Sequence, residues 1–130
     1  MDASFQISQL TSEISNYNAT IQANNEKINR LENSYTKILG DQDELSMQKG
    51  EANRPEITTD LWHGKHANDF MNKRESIKKE YNNIMNNDVN VLLDNISEAI
   101  RQLKSTNANL SSLIETNQNR IRTLRQMEED

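Results

Sequence analysis

The segment ISQLTSEISNYNATIQANNEKINRLENSYTKILGDQDEL, residues 7–45, decides the fold. Stepping through it by three and four residues in turn visits Ile7, Leu10, Ile14, Tyr17, Ile21, Asn24, Ile28, Leu31, Tyr35, Ile38, Gln42 and Leu45. Ten of these twelve are apolar, whereas the other 27 residues of the segment include only Ala19, Ala23 and Leu39 as apolar residues. A repeat of this period places all twelve on one stripe of an α-helix, the a/d seam of coiled-coil-like packing. The pattern predicts a helix of about 60 Å, at ~1.5 Å per residue. Asn24 in the seam costs stability and can fix register or partner number.

The seam settles a question that composition leaves open. The 130 residues suffice for one small domain, but only 33% are apolar and 5% aromatic. So polar a chain is either disordered or built from elongated helices that each bury a narrow stripe. The periodicity excludes disorder. Asparagine pairs at Asn24-Asn25, Asn82-Asn83 and Asn86-Asn87 lower intrinsic helicity, so the helices depend on tertiary or partner contacts.

Outward from the seam, periodicity fades after Leu45. Gly50 is a plausible stop, and Pro55 disfavours helix at Arg54. The first helix is expected over about 4–47 and a connection over about 48–60. Asp60 is a candidate N-cap, and Trp62-His63-Gly64 forms the turn into a second helix over about 65–127. The second apolar series is Phe70, Ile77, Tyr81, Ile84, Val91, Leu92, Ile96, Ala99, Leu103, Leu110, Leu113, Ile121 and Leu124. Its phase slips near Asp88, as a stutter would. The second helix is thus longer than the first. It either breaks near Asn86-Asn87-Asp88 to give three helices or continues, straight or kinked near Asn87. The absence of Pro and Gly after Gly64 favours continuity. The predicted fold is all-α: an elongated antiparallel helical hairpin forming a single domain.

Two helices enclose little core, so an apolar flank beyond the mutual seam stays wet unless a partner covers it. Between Ile84 and Leu103 the stripe widens, with neighbouring pairs Ile84/Met85, Val91/Leu92 and Ala99/Ile100. Ile84, Met85, Val91, Leu92, Ile96, Ala99, Ile100 and Leu103 are therefore the expected partner-binding residues. One flank should meet the first helix and the other a different surface.

Other function classes find little support. The formal charge is −5, with acids and bases interspersed, unlike the basic stripe of a nucleic-acid binder. Lys73/Arg74, Lys78/Lys79 and Arg120/Arg122/Arg125 read as solvated helix faces. The last trio also lies towards a helix C-terminus, where cations favour the macrodipole. With no cysteine, disulfides and thiolate chemistry are excluded. No phosphate-cradling glycine loop or nucleophile elbow is present, so no catalytic residues and no cofactor are expected. His63 and His66, flanked by Asp60 and Asp69, straddle a helix start and lack further remote His or Cys ligands, so no metal site is expected. Met1-Asp2-Ala3-Ser4-Phe5-Gln6 lacks a basic region and an apolar run, so no signal peptide is expected. No segment is apolar enough for direct membrane insertion.

The turn carries the most specific signal. Trp62 is the only tryptophan, and Trp62-x-Gly64-x-x-Ala67-x-x-Phe70 lies between two heptad helices. The sequence resembles the WXG superfamily of type VII secretion: small, acidic, signal-less helical hairpins with Trp-x-Gly at the turn. Trp62, Gly64, Ala67 and Phe70 match that turn and the helix start after it. The length of the chain and the late position of the motif are closer to the YwqH-like helical proteins that accompany LXG-domain toxins in Gram-positive bacteria.

This resemblance implies a non-enzymatic targeting partner or chaperone. Such a protein docks along the helical N-terminal LXG domain of a toxin, in some cases with a second small helical partner. It presents the complex to the secretion machinery. It would be cytoplasmic before export and could leave with the toxin. The aromatic–acidic export signal of many secreted members is missing: Tyr81 is followed four residues later by Met85, and Phe70 by Arg74. That points to a partner supplying the signal. The alternatives are an autonomous WXG-type secreted protein acting as a homodimer, and a structural coiled-coil adaptor.

Overall fold

The computed structural model describes residues 3–51 and 64–129. It is an all-α helical hairpin. Helix α1 spans Ser4–Glu51. Helix α2 spans Lys65–Asn83 and continues through a π-helical turn, Ile84–Asp88, into α3, Val89–Glu129. Asn83 and Val89, on either side of the turn, keep right-handed helical dihedrals. The second limb is therefore continuous, and the three-helix alternative is ruled out. Helix α1 also outlasts its expected end near residue 47. Gly50 is helical, because a glycine lowers helix stability by only about 1 kcal/mol relative to alanine and does not force a stop.

The helices pack as two units. One joins Met1–Glu32 to Glu98–Asp130, and the other is Asn33–Ser97. In the first unit the limbs run antiparallel. The Ala3 amide donates to Glu128 Oε1, Asn117 Nδ2 to Glu13 Oε2, and Asn24 Nδ2 to Asn107 Oδ1, so numbers rise in α1 as they fall in α3. In the second unit the same sense holds between Gln42 and Met85 and between Lys49 and Asn82.

All twelve seam positions from Ile7 to Leu45 are buried or half-buried, and the seam takes one further step to Lys49. Glu13 is the one off-seam residue of α1 that is even half-buried, held by the 2.9 Å bond from Asn117. The core is correspondingly thin. No large side chain among the described residues is fully enclosed, and the most buried apolar ones are Ile28, Ala67, Met85, Leu93, Ile96, Ile121 and Leu124. This is what two helices sharing one stripe can achieve.

The second limb buries two rows of residues. One row is Ala67, Arg74, Tyr81, Val89, Ile96, Leu103, Leu110, Asn117 and Leu124. The other is Met71, Lys78, Met85, Leu93, Ile100, Asn107, Ile114 and Ile121. Each row advances by seven residues except once, from Tyr81 to Val89 and from Met85 to Leu93, where it advances by eight. The π turn lies inside the first long step, and all of it but Ile84 lies inside the second. The phase slip near Asp88 is thus a one-residue insertion and not a stutter, which would add four residues. A π turn absorbs one residue by closing i→i+5 hydrogen bonds, and the Val89 amide accordingly reaches back to the Ile84 carbonyl.

The polar residues of the seam have partners. Asn107 accepts from Asn24 at 2.9 Å and donates to Asn25 Oδ1 at 3.0 Å. Gln42 Nε2 donates to the Met85 carbonyl at 2.7 Å and to Asn90 Oδ1 at 3.2 Å. Arg74 buries its stem in the seam and stacks its guanidinium over Phe70, 4.9 Å from the ring centroid, as a long cationic side chain with a charged tip can. Among the described residues no buried side-chain nitrogen or oxygen lacks a partner.

Candidate docking surface

Helix α2 starts at a glycine for a backbone reason. Gly64 is the N-cap, with φ 101° and ψ −172°, a region reached almost only by glycine. It is the only described residue with positive φ. A Cβ there would meet nothing within 4 Å, so conformation and not space selects the glycine. Its carbonyl accepts from the Asn68 amide at 3.1 Å and so begins the helix. Three residues on, Ala67 is buried in the seam, where a small side chain lets the limbs approach. Phe70, three further on, is 39% exposed. The motif positions after the tryptophan therefore do three different jobs: break, pack and present. Trp62 and His63, together with the Asp60 N-cap, lie outside the described residues.

Phe70 begins a row beside the seam. Ile77, Ile84 and Leu92 follow at steps of seven, seven and eight, in register with the buried rows and with the same long step across the π turn. Their exposures are 52%, 42% and 47%, and Val91 beside Leu92 is 58% exposed. All five lie in the second unit. Around them Gln48, Glu51, Phe70, Lys73, Arg74, Ile77 and Tyr81 line a groove, and Ser76, Ile77, Glu80, Tyr81 and Ile84 line a shallow, almost wholly apolar one. The surface is thus an apolar row rimmed by charges.

The sequence-based set of partner-binding residues divides in two. Ile84, Val91 and Leu92 are exposed. Met85 and Ile96 are buried, and Ala99, Ile100 and Leu103 are half-buried. Met85, Ile96, Ile100 and Leu103 occupy the two seam rows, so the stripe is wide there because seam and flank run side by side. Phe70 and Ile77 belong to the exposed row and were assigned elsewhere by the sequence pattern. The seven-residue spacing of Phe70, Ile77 and Ile84, distinct from the seam spacing of Ala67, Arg74 and Tyr81, is the signal that separates them.

Among the described residues no three His, Asp or Glu side chains converge as metal ligands, and no helix is long and apolar enough to cross a membrane. Glu98 is perturbed. The hydrogen bonds from Arg101 and then Gln102 hold its carboxyl down at about 2, and Glu98 in turn raises the Arg101 guanidinium. This is an exposed ion pair along one helix face.

No curated protein and no solved structure matches this chain. The sequence model of the YwqH-like family, by contrast, matches residues 5–126, from the first turn of α1 to the last turn of α3, and the chain belongs to the YwqH-like family.

Proposed function

We propose that this chain is a non-enzymatic helical partner of an LXG-domain toxin. It docks along the toxin's helical N-terminal domain and promotes its export through a type VII secretion system. It resides in the cytoplasm until export and leaves with the toxin or stays behind. The observation that carries the reading is the exposed row Phe70, Ile77, Ile84, Leu92 with Val91, an apolar face that the chain's own helices leave uncovered. Membership of the YwqH-like family and the Trp62-x-Gly64 sequence motif support it.

Magnitudes bound the interface. Fully burying such a side chain contributes about 1.5–3 kcal/mol, so five roughly half-exposed ones offer about 5 kcal/mol. Micromolar affinity needs about 8 kcal/mol after the costs of association. The row is therefore the core of a longer contact, as between two helices lying side by side.

Co-expression with an LXG-domain protein encoded beside this chain tests this reading. A co-purifying complex, broken by a charge placed in the row, is the expected result. Absence of any complex with that protein overturns it. A concentration-dependent homodimer of the isolated chain, with no affinity for an LXG domain, would favour the autonomous secreted reading.

A further inference from the structure

Near the chain termini, the first unit carries a basic strip that the fold does not account for. Arg120, Arg122 and Arg125 project from α3, and all three are exposed. Between residues 116 and 127 of α3 there is no Asp or Glu, and between residues 3 and 12 of α1 there is no charged residue at all. Of the acids around this stretch, Glu13 holds Asn117 and Glu128 accepts from the Ala3 amide, while Glu115 and Glu129 stand one turn before Gln118 and one turn after Arg125. None of the three arginines makes a hydrogen bond or ion pair with another described residue. The helix macrodipole does not explain them either. Helix α3 runs to Glu129 and its last turn holds no basic residue, whereas the dipole acts within that turn. In a chain of net charge −5, the three arginines within residues 120–125, with no acid among them, form a local cationic strip.

Arg122 and Arg125 share one face with Gln118, and the three line a groove floored by Ile121. Gln118, Arg122 and Arg125 are spread along the helix over about 10 Å, at ~1.5 Å per residue. Arg122 and Arg125, ~4.5 Å apart in rise, set two guanidinium forks side by side, and such a pair suits carboxylates one helical turn apart, each held by paired N–H donors. We infer that the Gln118–Arg122–Arg125 face is a recognition site for an acidic helical segment of a partner protein, with carboxylates three and four residues apart. It is a different surface from the apolar row and stands independently of it.

The test uses the full chain and a fluorescein-labelled helical peptide of alternating Glu and Ala turns, with Glu at three- and four-residue spacing. Fluorescence anisotropy is followed against salt. Arg122→Gln/Arg125→Gln should weaken binding at least tenfold, and rising salt should weaken wild-type binding steeply. Circular dichroism and the thermal midpoint should not change, since both side chains are exposed. Arg101→Gln removes an arginine already paired to Glu98 and should bind like the wild type. Equal binding by wild type and the double variant overturns the proposal, as does an equal loss in Arg101→Gln. Inorganic phosphate or phosphatidylglycerol vesicles competing as well as the peptide would also overturn it, by making the strip a phosphate or lipid site.

Discussion

The Gln42 side chain donates to the Met85 carbonyl at 2.7 Å, inside the π turn that carries the extra residue of the second limb. A π turn leaves one carbonyl without its usual i+4 amide, and a buried carbonyl without a donor costs about 1–3 kcal/mol. Gln42 occupies a seam position where heptad logic calls for a large apolar residue. Gln42→Leu should therefore gain apolar burial but lose more at Met85, while the same substitution in a chain lacking Asn87 should be stabilising. The coupling between the two changes, read from urea denaturation of the four chains, should be about 1–2 kcal/mol. Additive effects would mean that Gln42 has no special tie to the turn.

Deletions along the second limb should have opposite consequences according to place. Removing Asn87 turns both eight-residue steps into seven and leaves an ordinary α-helix in register with α1. Removing Ser105, an exposed residue away from the π turn, rotates Asn107, Leu110, Ile114, Asn117, Ile121 and Leu124 by about 100° off the seam. The first deletion should keep a cooperative thermal transition within a few degrees of the parent. The second should abolish it. Comparable losses would show that the π turn has a role beyond absorbing one residue.

These two deletions also mark what could be read from sequence. The α1 seam was legible from Ile7 to Leu45, because each of its twelve positions obeys one period that decides its burial, whereas the half-buried off-seam Glu13 and the further step to Lys49 were not. The second limb was only partly legible. Its seam contains Arg74, Lys78, Asn107 and Asn117, which a search for apolar residues skips, while its exposed flank contains Phe70, Ile77 and Ile84, which such a search selects. Burial follows the period and not the hydrophobicity of the individual residue. The insertion near Asp88 could be located from the loss of phase, but an insertion of one residue and one of four look alike until both rows are traced.

Asn24 and Asn107 form one polar layer of the first unit. Asn24→Ala should cost about 1–2 kcal/mol, because it removes the bond that Asn107 accepts within the half-buried seam. The double substitution Asn24→Leu/Asn107→Leu should instead raise the thermal midpoint, since apolar pairs in a seam stabilise more than amides. It should also loosen specificity, giving mixed association states in sedimentation velocity where the parent gives one. A double variant that is more stable and still of one size would show that the asparagines do not set register.

Glycine-to-alanine changes should differ in sign. At Gly64 the φ of 101° makes alanine strained by about 1–3 kcal/mol. At Gly40 and Gly50, both helical and with open space for a Cβ, alanine should stabilise by about 0.5–1 kcal/mol each. Chemical denaturation of the three variants checks this. A Gly64→Ala variant as stable as the parent would mean that the start of α2 does not depend on that backbone conformation.

The exposed row and the seam beside it should separate under charge substitution. Ile77→Glu and Leu92→Glu place a carboxylate on half-exposed positions, so the isolated chain should keep its thermal midpoint to within a few degrees. In a complex the same carboxylates would be buried without partners, so affinity for the LXG domain should fall at least a hundredfold. Met85→Glu puts the charge into the buried seam and should unfold the chain before any partner is added. Asn87→Glu, on an exposed polar position within the π turn, should do neither. Calorimetric titration alongside thermal melts distinguishes the four. If Asn87→Glu weakens the complex as much as Leu92→Glu does, the apolar row is not the docking surface and the partner must reach the hairpin from another side.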